Sequence, residues 1–324
     1  MKIGIISFAH GHAYSYANII RKYKGLELAG VFDEDESRGR AVAAHYHTAF
    51  YTKLHHLLAA DVDTVIVTSE NSKHAQHVMA AAKAKKNILC EKPIATTAED
   101  AKNMIACCEA NGVLLQVAFP VRYSTPIKRA REIVQKGGLG KILAVKGTNR
   151  GTNPGGWFLN KALSGGGAVM DHTVHVVDLL RWFMDAEVKK VYAEIDHLIA
   201  DEKIDDCGIV TMDLDNGVFA TLDCSWSRNN HYPTWGDVTL EVVGTEGTLG
   251  VNAFDQKIDV YSDTEGASWK YWGDDMNEKM ILDFVDAIKK GRQPFVTGDD
   301  GLKALEVALS AYRSSESGQT VLNS

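Results

Sequence analysis

The chain has 324 residues, 45% hydrophobic and 24% charged, with 35 basic against 42 acidic side chains for a formal net charge of −7. That length leaves room for two cores, and the acidic balance excludes a basic docking stripe for nucleic acid or an anionic membrane. Five cysteines with no C-x-x-C spacing exclude a disulfide framework, and no apolar run approaches the ~20 residues of a membrane helix, so the expectation is a soluble, cytoplasmic protein with reduced thiols.

In chain order, the first third alternates strand and helix. Lys2–Ser7 reads as a buried strand, Ala13–Tyr23 as a helix, Leu26–Phe32 as a second strand, and Ser37–His45 and Leu54–Ala59 as helices. Thr64–Thr68 is a β-branched apolar run, His74–Lys86 an alanine-rich helix and Asn87–Cys90 a strand. Thr97–Asn111 is a helix capped by Thr96 or Thr97, and Val113–Val117 a sixth strand. Short apolar strands separated by helices imply a parallel sheet covered on both faces.

After about Pro120 the pattern changes. Ile142–Thr148, Val188–Ile195, Asp206–Leu214, Val218–Trp226, Val238–Val243 and Ile258–Tyr261 read as strands, with Asp215-Asn216-Gly217 as a hairpin turn. Pro126–Lys136, Ala168–Phe183, Asn277–Lys290 and Leu302–Ser314 read as helices. The expected architecture is a doubly wound dinucleotide-binding domain over residues 1–120, then an α+β domain with a large, mainly antiparallel sheet over 121–324. A barrel of eight strand–helix units does not fit this order.

Four stretches carry chemistry. In Ile5–His12, Ser7, Ala9 and His12 stand where G-x-G-x-x-G has its glycines, at a turn that would set a helix N-terminus against a pyrophosphate. His10 and His12 could also be a ligand pair, but the sequence names no acidic third ligand, and no metal site is assigned. Asp33 ends the second strand where a carboxylate binds the adenosine ribose. Facing a 2′-phosphate at about 5 Å, with an effective dielectric near 20, it would cost roughly 3 kcal/mol. NAD is therefore expected over NADP, although Arg38 could hold that phosphate.

Cys90-Glu91-Lys92-Pro93 sets a lysine at the carboxyl end of a buried strand, where a proton-transfer or hydrogen-bond donor role is suited. Gly165-Gly166-Gly167 leads into a helix with Asp171 and His175 on one face and Asp178 near them; His172 points about 100° away. A neutral histidine can accept a hydroxyl proton near pH 7.

Glu91-Lys92-Pro93 together with G-G-G-x-x-x-D-x-x-x-H resembles the Gfo/Idh/MocA oxidoreductase family. The resemblance covers almost the whole chain and includes Asn71 and His74, Arg122-Tyr123 and Gly298-Asp299-Asp300-Gly301. It implies that His175 is the catalytic acid/base, assisted by Lys92 and Asp171. It puts Ser7, Ala9, His10, Gly11, His12, Asp33, Arg38, Thr68, Asn71, His74, Glu91 and Lys92 beside the cofactor, and Lys92, Arg122, Tyr123, Trp157, Asp171 and His175 beside a sugar or cyclitol. The chain departs from the family at Ser7, Ala9 and His12, and at Ser69-Glu70-Asn71 in place of Thr-Pro-Asn. The implied activity is hydride transfer between NAD(P) and a CH–OH group, in a homodimer or homotetramer assembled through the second-domain sheet. The alternatives are a regulatory protein that binds dinucleotide and sugar without turnover, and a metal hydrolase built on His10 and His12.

Overall fold

Apolar, β-branched runs bounded by turn residues become the strands of a six-stranded parallel sheet. The computed structural model describes residues 1–323 apart from 202, 230, 233 and 265, and its contacts divide the chain into two units. In the first, β1 (Lys2–Ile6), β2 (Glu27–Phe32), β3 (Phe50–Tyr51), β4 (Thr64–Val67), β5 (Asn87–Cys90) and β6 (Leu115–Val117) stand in the order β3-β2-β1-β4-β5-β6. The connecting helices are α1 (His12–Lys22), α2 (Glu36–Tyr46), α3 (Leu54–Ala59), α4 (His74–Lys83) and α5 (Ala98–Asn111). All four residues of β4 are buried, as a strand covered on both faces requires.

Local chemistry sets the helix ends. The Asp35 side chain caps α2 by accepting from Arg38 N, and Thr97 caps α5 by accepting from Asp100 N. Gly112, at φ 65°, closes α5 in the left-handed conformation. Strand order reverses between β1 and β4, where ligands bind outside the carboxyl ends of such sheets. Ser7–His12 leaves β1 at that edge, and Thr68–Asn71 leaves β4.

The second unit carries α6 (Thr125–Gln135), α7 (Lys161–Ser164) and α8 (Ala168–Met184). Its strands are β7 (Ile142–Thr148), β8 (Val188–Asp196), β9 (Cys207–Leu214), β10 (Phe219–Asp223), β11 (Thr239–Gly244) and β12 (Thr248–Asn252). β13 (Lys257–Ser262) and β14 (Gly266–Tyr271) pair with each other. The main sheet runs β12-β11-β7-β10-β9-β8 and ends on β15 (Val321–Leu322); it is antiparallel except between β7 and β10. One face lies under α8, whose close approach depends on glycine: a Cβ on Gly147 would sit 2.7 Å from Val176 and one on Gly208 2.6 Å from Val169. Gly217, at φ 86°, makes the β9–β10 turn.

The expected second domain of 121–324 is not one continuous unit. The structural division falls after Phe119, and Asn277–Leu302, with most of α9 (Met276–Lys290) and the start of α10 (Gly298–Ser317), joins the first unit. Gln116 bridges Thr297 and donates from Nε2 to Met280 O at 3.4 Å, while Lys22 and Tyr23 both reach Glu278. A helix that follows a run of strands in sequence can pack on the earlier sheet, and side-chain periodicity does not report which one. Among the described residues, no helix is long and apolar enough to cross a membrane.

Candidate active site

The turn after β1 is built without its usual glycines. Ser7 adopts φ 72°, a left-handed conformation that costs an L side chain roughly 1–2 kcal/mol. Neighbours hold it there: Ser7 N donates to Phe32 O at 2.6 Å, Thr68 Oγ1 donates to Ser7 O at 2.6 Å, and Ala9 N donates to Ser7 Oγ at 3.1 Å. Thr68, expected beside the cofactor, is thus a buried pin for the turn. Gly11 enters α1 with nothing among the described residues within 4 Å of where its Cβ would be. Open space before a helix whose first turn holds no acidic residue suits an anionic pyrophosphate, so these residues fit a dinucleotide.

Asp33 does not face outward as the sequence suggested. Its carboxylate is fully buried and accepts from Phe8 N at 2.7 Å, Ser7 Oγ at 3.3 Å and Asp35 N at 3.0 Å. Arg38 closes over it, with Nε 2.8 Å from Oδ2 and Nη2 2.7 Å from Oδ1; the arginine side chain remains 29% exposed. The expected repulsion of a 2′-phosphate by a bare carboxylate therefore does not apply. The sequence could place both residues at the strand end but not show that they neutralise each other.

At the end of β5, Glu91 turns back toward α1. Its side chain is fully buried; Oε1 lies 3.0 Å from His12 Nδ1 and accepts from the Tyr16 hydroxyl, and Oε2 accepts from Lys92 N at 3.1 Å. Burial alone would raise the Glu91 carboxyl, but the facing His12 and His10 imidazoles and neighbouring Lys92 hold it well below the usual carboxylate range. Lys92 is buried as well, ahead of a cis peptide to Pro93. His74 lies behind this turn, with Nδ1 3.0 Å from Pro93 O and Nε2 3.0 Å from Ser69 O. It ties the β4 and β5 turns together, and Asn71 beside it is also buried.

In the second unit, Gly165-Gly166-Gly167 has a steric reason. A Cβ on Gly167 would lie 1.9 Å from Asp205 O, and one on Gly166 2.2 Å from the Tyr312 hydroxyl. Asp205 caps α8, accepting from Gly167 N at 2.8 Å and Val169 N at 2.9 Å, and it receives the Tyr312 hydroxyl at 3.0 Å. Burial and the Asp205 charge push the Tyr312 phenol well above its ordinary value. This cap fixes the helix turn that carries Asp171 and His175. Asp171 Oδ2 accepts from Trp226 Nε1 at 3.3 Å and lies 3.3 Å from His172 Nε2. His172 in turn has Nδ1 3.0 Å from Cys224 O. Asp205 and Tyr312 were invisible in the sequence, since 38 residues separate Asp205 from Gly167 and 107 separate it from Tyr312.

The expected substrate residues fare differently. Arg122 is buried and bidentate on Asp178, with Nε 2.7 Å from Oδ2 and Nη2 2.6 Å from Oδ1. This pair gives each of the two buried charges its counter-charge. Tyr123 is buried too, under Lys128. Trp157 is half-buried and stacked on Phe158 at 3.9 Å. Arg150 and Arg228 both converge on buried Asp237, a partner the sequence did not flag.

Residues 1–119 match an oxidoreductase family with an NAD-binding Rossmann fold, and residues 127–250 match the GFO/IDH/MocA C-terminal domain. The chain is 28% identical to the myo-inositol 2-dehydrogenase of Thermotoga maritima, over 99% of this chain and 98% of that protein. It is 29% identical to an NADP(+) D-xylose 1-dehydrogenase of Haloarcula marismortui, over 91% and 85%. The crystal structure of GenD2 from gentamicin A biosynthesis, in complex with NAD, superposes with a TM-score of 0.91 at 26% identity, covering 99% of this chain and 96% of that one. Fold, turn and relatives together define an NAD(P)-binding oxidoreductase. The chain belongs to the Gfo/Idh/MocA family.

Proposed function

We propose that the protein moves a hydride between a nicotinamide cofactor and a secondary alcohol or hemiacetal of a sugar, cyclitol or related polyol. The observation that carries this reading is the pair Asp171 and His175, one turn apart on a helix whose N-terminus is capped by Asp205, in a chain that also carries Glu91-Lys92-Pro93.

When bound, the dinucleotide supplies the hydride acceptor or donor. His175 takes the hydroxyl proton in oxidation and returns it in reduction, a contribution of ~10²–10⁴ in rate. Asp171, braced by Trp226 and His172, accepts a substrate hydroxyl. Lys92 donates to the reacting oxygen. Ser7, Ala9, His10, Gly11 and His12 hold the pyrophosphate at the start of α1, and Trp157 offers a ring face to the substrate.

NAD is the preferred form. For Arg38 to hold a 2′-phosphate it would have to leave Asp33, and a buried carboxylate without its cation is strongly destabilising. Self-association uses the open face of the seven-stranded sheet, where Ile209, Phe219 and Val243 are exposed, to give a homodimer or homotetramer that sedimentation would reveal.

The test is a turnover panel of inositols, aldoses and anhydrosugars with NAD and NADP, followed by the absorbance of the reduced nicotinamide. Reduction with at least one polyol is expected. Tight dinucleotide binding with no turnover across the panel would overturn the catalytic reading in favour of a binding protein.

A further inference from the structure

The H-x-H pair at the start of α1 lacked an acidic partner in the sequence, and the fold supplies one from 79 residues away. Glu91 comes to His10 and His12 so that one ligand atom from each lies within 4.8 Å of the others. Among the described residues this is the one group of three or more His, Cys, Asp or Glu side chains close enough to share an ion. We propose that His10, His12 and Glu91 form a site for a divalent transition metal of the zinc or cobalt class.

The donor set argues for that class. Two imidazoles and one carboxylate suit borderline ions such as Zn²⁺ and Co²⁺ better than Mg²⁺ or Ca²⁺, which take oxygen ligands. Metal–ligand bonds of about 2.0–2.2 Å put neighbouring donors of a tetrahedral ion roughly 3.4 Å apart. His12 Nδ1 and Glu91 Oε1 already stand 3.0 Å apart, and the His10 and His12 ring centres are 4.3 Å apart. His10 makes the remaining adjustment. Its Nδ1 now accepts from His12 N at 3.2 Å, and the ring must give up that bond to present a lone pair to the ion.

The surroundings fit as well. Glu91 is buried, and a cation there would match a carboxylate held out of water. The Tyr16 hydroxyl and Lys92 N–H already orient that carboxylate, as outer hydrogen bonds do around metal ligands. The His12 side chain is 40% exposed, which gives the ion a path in and leaves a coordination position for water or another small oxygen donor. All three ligands belong to the first unit, at the turn proposed to hold the dinucleotide.

The experiment uses the purified full chain, stripped of metal and nucleotide, titrated with Co²⁺ and then with Zn²⁺. Visible Co²⁺ bands of a low-coordinate nitrogen–oxygen site are expected at one ion per chain, bleached when Zn²⁺ displaces it. His12→Ala alters a partly exposed side chain and should weaken binding at least about tenfold. Glu91→Gln should do the same, with circular dichroism checking that each variant is folded. Unchanged Co²⁺ spectra in large excess of metal would overturn the proposal. So would undiminished binding in folded His12→Ala, which would put the ion elsewhere, for example at the neighbouring His55 and His56 of α3. Because no nucleotide is present, either result leaves the dinucleotide reading to its own test.

Discussion

Replacing Asp33 with Ser should shift the cofactor balance toward NADP. In the native chain the Arg38 guanidinium is matched by Asp33 at 2.7 and 2.8 Å, so it offers little net charge to a 2′-phosphate. Ser removes the carboxylate and leaves an arginine that is 29% exposed. A guanidinium–phosphate pair at about 5 Å, with an effective dielectric near 20, is worth roughly 3 kcal/mol. Solvent screening at that exposure brings it to ~1.5 kcal/mol, about tenfold in Kd. The variant also loses acceptors for Phe8 N and Asp35 N, at about 1–3 kcal/mol of stability, so unfolding is followed alongside binding. Calorimetric titration of NAD and NADP into the wild type, Asp33→Ser and Asp33→Ser/Arg38→Ala reads the ratio of the two Kd values. Kd(NADP)/Kd(NAD) should fall about tenfold in the single variant and recover in the double. An unmoved ratio, or the same movement without Arg38, would mean that the Asp33–Arg38 pair does not set the cofactor balance.

Three other outcomes follow from the packing. Gly167→Ala drives a methyl against Asp205 O, 1.9 Å away; a loss of about 1–3 kcal/mol is expected, with a fall in kcat as the Asp171 turn shifts, and an unchanged denaturation midpoint would contradict the cap. Arg122→Met strands buried Asp178 and should cost about 3–5 kcal/mol, whereas a raised KM at native stability would return Arg122 to the substrate. Burial pulls His77 down from 6.5 to about 4, so between those values the unfolded chain binds a proton that the native one does not, and stability falls with pH. From pH 7 to pH 5 the loss is about 2 kcal/mol; His77→Gln should flatten this slope in denaturant titrations, and an identical slope would rule His77 out as its source.

The doubly wound sheet could be read from the sequence because its strands are buried on both faces and its helices carry their own caps, as at Asp35 and Thr97. Strands set by their partners were missed. β3 and β15 are two residues long and exist only against β2 and β8, while β12 and β14 contain glycine, which is depleted in strands. Lys92, Asp171 and His175 could be singled out as candidates because each lies in a short local motif. Long-range pairings could not: Arg122 with Asp178, Arg38 over Asp33, Glu91 against His12, and Asp205 under the glycine run. Each turns a plausible ligand group inward, because a buried charge needs a counter-charge and periodicity carries no information about where it comes from.

The proposed reaction turns on His175 exchanging the substrate proton during hydride transfer. The direct measurement compares wild type with His175→Ala for reduction of NAD by the best polyol of the panel, with NAD affinity determined on both proteins. In the variant kcat should fall by ~10²–10⁴ while NAD affinity stays the same. Undiminished kcat in His175→Ala would contradict it.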